Sequence, residues 1–121
     1  MFPHHMDAYY FSGQTTELRD VIYDEANAFW NDCRPQIGWR PEEIAWMFTH
    51  QVSESTFRMV TESIGIAPER SVNLFPTHGN MAAASIPACM AAVRGQFRRG
   101  DKILLVGLAA GISLSFQAVV W

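Results

Sequence analysis

The chain has 121 residues, 49% of them apolar, and a formal net charge of −3 from 12 acidic and 9 basic residues. That suits one packed globular domain; with Arg98-Arg99 as its only adjacent basic pair, the chain shows no nucleic-acid footprint. No apolar run is long enough to span a membrane, and the two cysteines lack CxxC spacing, so a cytoplasmic α/β protein in a reducing compartment is expected.

Met1-Phe2-Pro3-His4-His5 places no basic segment before an apolar one and does not read as a signal peptide. Residues 1–14 contain Tyr9, Tyr10 and Phe11 without a period and read as an irregular lead-in. From Thr15 to Cys33, Leu18, Val21, Ile22, Phe29 and Trp30 recur at helical spacing with acidic and basic residues between them, predicting an amphipathic helix. A loop is expected from Arg34-Pro35 to Arg40-Pro41, with Pro41-Glu42-Glu43 opening a short helical turn. Ile44–Thr49 is almost wholly apolar, as in a strand buried on both faces. A helix capped at Ser53 follows, with Phe57, Val60 and Ile64 inward and Gly65 as its stop.

Val72–Thr77 reads as a second strand. The helix after Asn80 is rich in alanine, with Pro87 in its first turn, where a missing N–H costs little. Gly95–Asp101 is a basic turn, Ile103–Val106 a third strand and Gly107–Gly111 a small-residue connection. From Ile112 to Val120 apolar and polar residues alternate, the mark of a strand with one polar face. The predicted order is helix, strand, helix, strand, helix, strand, strand, an α/β arrangement ending in an antiparallel pair.

Ligands of open α/β sheets bind beyond the carboxyl ends of the strands. Three features fall at such ends: His50, the turn His78-Gly79-Asn80, and Gly107–Gly111. An imidazole and a carboxamide can each donate a hydrogen bond to one carbonyl oxygen, and small loop residues let main-chain N–H groups approach a second, which is equipment for stabilising an oxyanion or enolate. Each feature also has a plain structural reading. His50 can be a hydrogen-bonded strand-end residue, Asn80 a turn residue or helix cap, and Gly107–Gly111 a hairpin link. None of the four histidines has zinc spacing to another His or Cys, so no metal site and no cofactor is expected. Cys89 reads as a small buried hydrophobe; neither it nor Cys33 sits in a nucleophile motif.

The segments His50-Gln51-Val52-Ser53, His78-Gly79-Asn80-Met81-Ala82-Ala83-Ala84-Ser85-Ile86-Pro87, Gly100-Asp101-Lys102-Ile103-Leu104-Leu105 and Gly107-Leu108-Ala109-Ala110-Gly111 occur in this order. With them the chain, from about Thr15 to Trp121, resembles the C-terminal part of 3-oxoacyl-[acyl-carrier-protein] synthase III, of the thiolase superfamily. The Gly-Asn-Met turn and the final Val-Val-Trp resemble the branch that joins two acyl chains head to head.

The resemblance implies the C-terminal half of a thiolase-like fold, incomplete, with residues 1–121 as a single domain and the nucleophile-bearing N-terminal half absent. It implies a condensing acyltransferase of fatty-acid or related acyl-chain biosynthesis, performing a Claisen condensation of acyl and malonyl thioesters. His50 and Asn80 would bind the thioester oxygen on which enolate charge develops. The main-chain N–H of Ala110, where the family usually has Gly, would join the oxyanion hole. Ser53, Gly79 and Gly111 would lie near the substrate. The implied partners are an acyl thioester of coenzyme A or acyl-carrier protein and a Cys-bearing N-terminal half or second chain; self-association is expected, with no nucleic acid or membrane span. The resemblance further implies that a central strand of the half's sheet is missing and that the chain alone is inactive. A non-catalytic partner or scaffold subunit of a full-length condensing enzyme is the alternative.

Overall fold

β1 (Ile44–Thr49) is where the apolar run and the core coincide: Ile44, Met47, Phe48 and Thr49 have no solvent exposure. The computed structural model describes residues 15–109 and 113–121, with side chains from residue 20 onward. β1 pairs in parallel with β2 (Lys102–Ala109), and β2 pairs antiparallel with β3 (Ser113–Val120), giving a three-stranded sheet in the order β1-β2-β3. β1 and β2 pair directly, so no gap stands between them even with the family's central strand expected to be missing from this chain. Met47, Phe48 and Thr49 lie directly against Leu104, Leu105 and Val106, and the sheet's edges are β1, whose outer side makes one isolated bridge, and β3.

Helices cover both faces of β1 and β2. On one face α1 (Thr15–Ile37) and α2 (Glu54–Ile64) bring Trp30, Val60 and Ile64 against Met47, Leu104 and Val106. On the other, α4 (Ser85–Val93) sets Cys89 and Ile86 beside Phe48 and Ile103. Burial on both sides explains why β1 reads as a continuous apolar run rather than an alternating one. The alternation expected of the final strand holds over residues 113–117, where Leu114 and Phe116 are half-buried between exposed Ser113, Ser115 and Gln117. It is lost beyond, where Val119, Val120 and the following Trp121 are exposed.

α1 keeps a narrower stripe than its spacing suggests. Ile22 and Trp30 are buried, whereas Val21 and Phe29 stay exposed and Phe29 lies tilted at 41° against Phe116 of β3, 5.4 Å between ring centres. The helix also runs past Arg34-Pro35, where a loop was expected. Pro35 sits in its last turn, where the break it makes in the hydrogen-bond ladder falls near the helix end rather than its middle, and Gly38 ends it at φ 70°, donating to Arg34 O at 3.0 Å. α2 follows its expected limits. Ser53 Oγ accepts from the Thr56 amide at 3.1 Å, and Gly65 closes the helix in the left-handed region.

Val72–Thr77 is not a strand. Ser71 makes one isolated parallel bridge to Met47, and then the chain turns into α3 (Phe75–His78). Two local causes compete successfully with the apolar pattern. Pro76 cannot donate to a ladder and suits the first turn of a helix. The groups a neighbouring strand would have paired are taken by one side chain: Gln51 Nε2 donates to Val72 O at 2.6 Å, and the Leu74 amide donates to Gln51 Oε1 at 3.0 Å.

Candidate functional site

β1 ends by handing its last ladder bond to His50, whose amide donates to Val106 O at 3.1 Å. The imidazole is half-buried. Its Nδ1 lies 3.2 Å from the hydroxyl of Ser85, the fully buried first residue of α4. Around it opens a cleft of about 370 Å³ lined by His50, Ala82, Ala83, Ile86, Gly107, Leu108 and Ala109. The carboxyl ends of β1 and β2 thus meet the small-residue turn, as expected of ligand sites in open α/β sheets. Apart from the imidazole the side chains of its walls carry no polar group, so a hydrogen-bond donor placed here has little competition within the protein. By contrast, the apolar recess between α1, α2 and the hairpin has room for only about 10 Å³, no more than a single water molecule needs.

Of the sequence-predicted residues, His50 is in the cleft, together with Gly107–Ala109 of the small-residue connection. Ala110 and Gly111 lie outside the described residues. Asn80 is exposed and borders the cleft through the chain rather than lining it. Its Oδ1 accepts from the Ala82 amide at 2.8 Å, the local turn its residue type favours. That bond occupies the oxygen, and Nδ2 makes no hydrogen bond among the described residues. His50 and Asn80 are not hydrogen-bonded to each other, and the turn that carries Asn80 is strained. Gly79 adopts φ 65°, ψ −157°, a region essentially closed to other residues, and Ala82, a cleft wall, has φ 49°.

Ser53 is fully accounted for as a cap, shared between the Thr56 amide and the hydroxyls of Thr56 and Ser55 at 2.8 and 3.0 Å, and it does not line the cleft. His78 is exposed and bonded to Thr77 Oγ1 at 2.8 Å. Cys89 is buried at the foot of α4, where Gln51 Nε2 lies 3.4 Å from its sulfur; burial pushes its thiol pKa up, the opposite of what a nucleophile needs.

Two contributors escape a sequence reading. Gln51, fully buried, ties the end of β1 to the segment leading into the Asn80 turn; its signal was a carboxamide immediately after a buried strand, with no charged partner nearby. Ser85, fully buried, contacts the imidazole from a position that reads only as a helix start.

A mixed sheet between helices, with a cleft at the carboxyl ends of its strands, belongs with the thiolase-like condensing enzymes in fold. Residues 35–121 match the family 3-oxoacyl-[acyl-carrier-protein (ACP)] synthase III C terminal, and the chain belongs to that family. It is 37% identical over 88 residues to a beta-ketoacyl-[acyl-carrier-protein] synthase III of Streptomyces coelicolor, covering 71% of this chain and 26% of that protein. It is 34% identical over 87 residues to the acyl-CoA:acyl-CoA alkyltransferase of Xanthomonas campestris pv. campestris, covering 70% of this chain and 26% of that one. Among solved structures it is similar to cerulenin-bound OleA of X. campestris (TM-score 0.79, 30% identity, 88% of this chain and 34% of that one). It is also similar to FabH of Xanthomonas oryzae pv. oryzae (TM-score 0.74, 29% identity, 84% of this chain and 32% of that one). The chain thus spans 26% to 34% of the length of these relatives. No described helix is long and apolar enough to cross a membrane.

Proposed function

We propose that this chain is the C-terminal portion of a condensing acyltransferase in which His50 and Asn80 donate hydrogen bonds to a thioester enolate. The observation that carries the reading is the placement of the His50 imidazole in an otherwise apolar cleft at the carboxyl ends of β1 and β2. The strained Gly79–Ala82 turn borders it, and the Asn80 amide nitrogen is left unbonded there. In the reaction, a malonyl thioester of coenzyme A or acyl-carrier protein breaks its bond to the carboxylate carbon and releases carbon dioxide. The bonding electrons become an enolate whose oxygen takes hydrogen bonds from His50 Nε2 and Asn80 Nδ2. The enolate carbon then attacks an acyl group held on a cysteine, which leaves as thiolate. The Ala110 N–H helps bind the oxygen of that tetrahedral intermediate.

The nucleophilic cysteine comes from outside these residues, because Cys89 is buried with its thiol pKa raised, and Cys33 lies on α1, remote in the chain from the strand ends. The unpaired outer edge of β3, with Val119, Val120 and Trp121 exposed, is where the remaining part of the fold or a second chain adds. The similarity to an acyl-CoA:acyl-CoA alkyltransferase and to OleA favours a second version, in which the enolate forms from a second acyl thioester in a head-to-head condensation.

The test is reconstitution with a Cys-bearing N-terminal portion of a relative, following 3-oxoacyl product from acyl and malonyl thioesters. His50→Ala and Asn80→Asp are each expected to lower the rate by roughly 10²–10³, the usual effect of losing one such donor. Asn80→Asp is the sharper variant, since its carboxylate keeps the acceptor for the Ala82 amide while removing the Nδ2 donor. Unchanged rates would identify the chain as a scaffold, and product formed by this chain alone would show that the nucleophile lies within it.

A further inference from the structure

Ser85 is placed where it decides which nitrogen of His50 carries the proton. Its hydroxyl is fully buried at the first position of α4, and its one hydrogen-bond partner among the described residues is His50 Nδ1, 3.2 Å away. Two arrangements of protons fit that contact. If Nδ1 carried the hydrogen, the imidazole would donate to Oγ, and the buried Ser85 O–H would have nothing to donate to. If Nδ1 is bare, Oγ–H donates to it and every buried hydrogen of the pair is used. A buried donor left unmade costs its full desolvation, whereas an oxygen lone pair left over costs much less. The second arrangement wins.

We infer that Ser85 is a positioning residue that donates to Nδ1 and holds His50 as the tautomer protonated at Nε2. The ring is located at one end by its own amide, bonded to Val106 O, and at the other by this hydroxyl. Nε2 is then the nitrogen left for the cleft, whose other walls, Ala82, Ala83, Ile86, Leu108 and Ala109, offer it no side-chain partner. His50 enters the cleft as a hydrogen-bond donor and not as a base. A helix start explains Ser85 less well, because α4 has no side-chain cap, the Ser85 amide already donates to Ala82 O, and the hydroxyl meets the imidazole instead.

The inference deepens the enolate reading and rests on it for its catalytic meaning, but not for its test. Imidazole nitrogen spectra of the uniformly ¹⁵N-labelled chain, recorded at a pH where histidines are neutral, report the protonation of each ring nitrogen directly. Loss of one set of signals in His50→Gln assigns His50. The expected result is a protonated Nε2 and an unprotonated Nδ1 that carries the upfield shift produced by accepting a hydrogen bond. In Ser85→Ala that upfield shift is lost and the other tautomer gains population; Ser85→Thr, which keeps the hydroxyl, restores the shift. A protonated Nδ1 in the unsubstituted chain would overturn the inference without any variant, as would an Nδ1 resonance unmoved by Ser85→Ala. Because no turnover is measured, a correct tautomer in an enzyme indifferent to His50→Ala would sink the enolate reading and leave the Ser85 assignment standing.

Discussion

Replacing Gln51 by alanine tests the physical claim that one buried carboxamide stands in for a strand. The side chain has no solvent exposure and satisfies two main-chain groups of the segment that runs beside it, Val72 O at 2.6 Å and the Leu74 amide at 3.0 Å. Truncation leaves a donor and an acceptor without their partner, each worth about 1–3 kcal/mol when fully buried. Residues 72–74 are only half-buried, so water can reach part of the space and both values belong at the low end. A loss of roughly 2–4 kcal/mol is expected, on the order of ten degrees in Tm for a chain of this size. Urea unfolding gives the total, and amide hydrogen exchange localises it: the Leu74 amide loses protection while the β1–β2 ladder keeps its own. Gln51→Glu sharpens the argument, since its carboxylate would face Val72 O where a donor belongs. That clash and the burial raise the folded pKa of the new acid. The variant is therefore most stable below the unfolded value of about 4.3 and loses stability as pH rises towards the folded one. A Gln51→Ala midpoint within about 0.5 kcal/mol of the parent, with Leu74 still protected, would refute the reasoning.

Glu43 is held near pKa 2, chiefly by the hydrogen bond from Lys102 Nζ at 2.8 Å and then by the Arg40 amide and side chain, so it stabilises the fold above its ordinary pKa of about 4.5 and loses that contribution as pH falls towards 2. The stability gap between the parent and Glu43→Gln should accordingly be constant at neutral pH and close over that acid window; a gap independent of pH in thermal melts would show the bond to be idle. Ser53→Ala removes the cap of α2 and should cost about 1 kcal/mol in urea unfolding, with reconstituted condensation unaffected. A selective rise in KM for the thioester would instead return Ser53 to the substrate-contacting role implied by the family resemblance.

Elements whose residues fold by their own pattern were legible in the sequence. β1 and α2 have the limits that their apolar run, Ser53 cap and Gly65 stop predict, because each signal acts within a few residues. Val72–Thr77 misled because its apolar residues describe burial and not pairing; Pro76 and a side chain from another element decide its conformation. The same divide runs through the site. His50 at the end of a buried strand could be placed from sequence, and its cleft with Gly107–Ala109 follows from β1 and β2 being parallel neighbours. Ser85 could not, because its contact spans 35 positions and its residue type is ordinary at a helix start. The strand expected to be missing was implied by the resemblance and not by the residues; within these residues β1 and β2 pair directly and the edges fall on β1 and β3.

The site depends most on the two residues that directly follow β1. His50 and Gln51 are adjacent. The first bonds the start of α4 through Ser85, and the second bonds the segment feeding the Asn80 turn through Val72 and Leu74. The turn from Gly79 to Ala82 lies between those two anchor points in the chain, so its strained dihedrals are held at both ends from one strand. A strand buried on both faces, with four of its six residues free of solvent, is the least mobile platform the fold offers. A hydrogen-bond donor that must meet a developing charge without reorganising is best mounted on such a platform. That reasoning ranks the variants. Substitutions at Gln51 should lower stability and catalysis together, whereas Asn80→Asp should lower catalysis alone, because it leaves both anchors and the Ala82 bond in place.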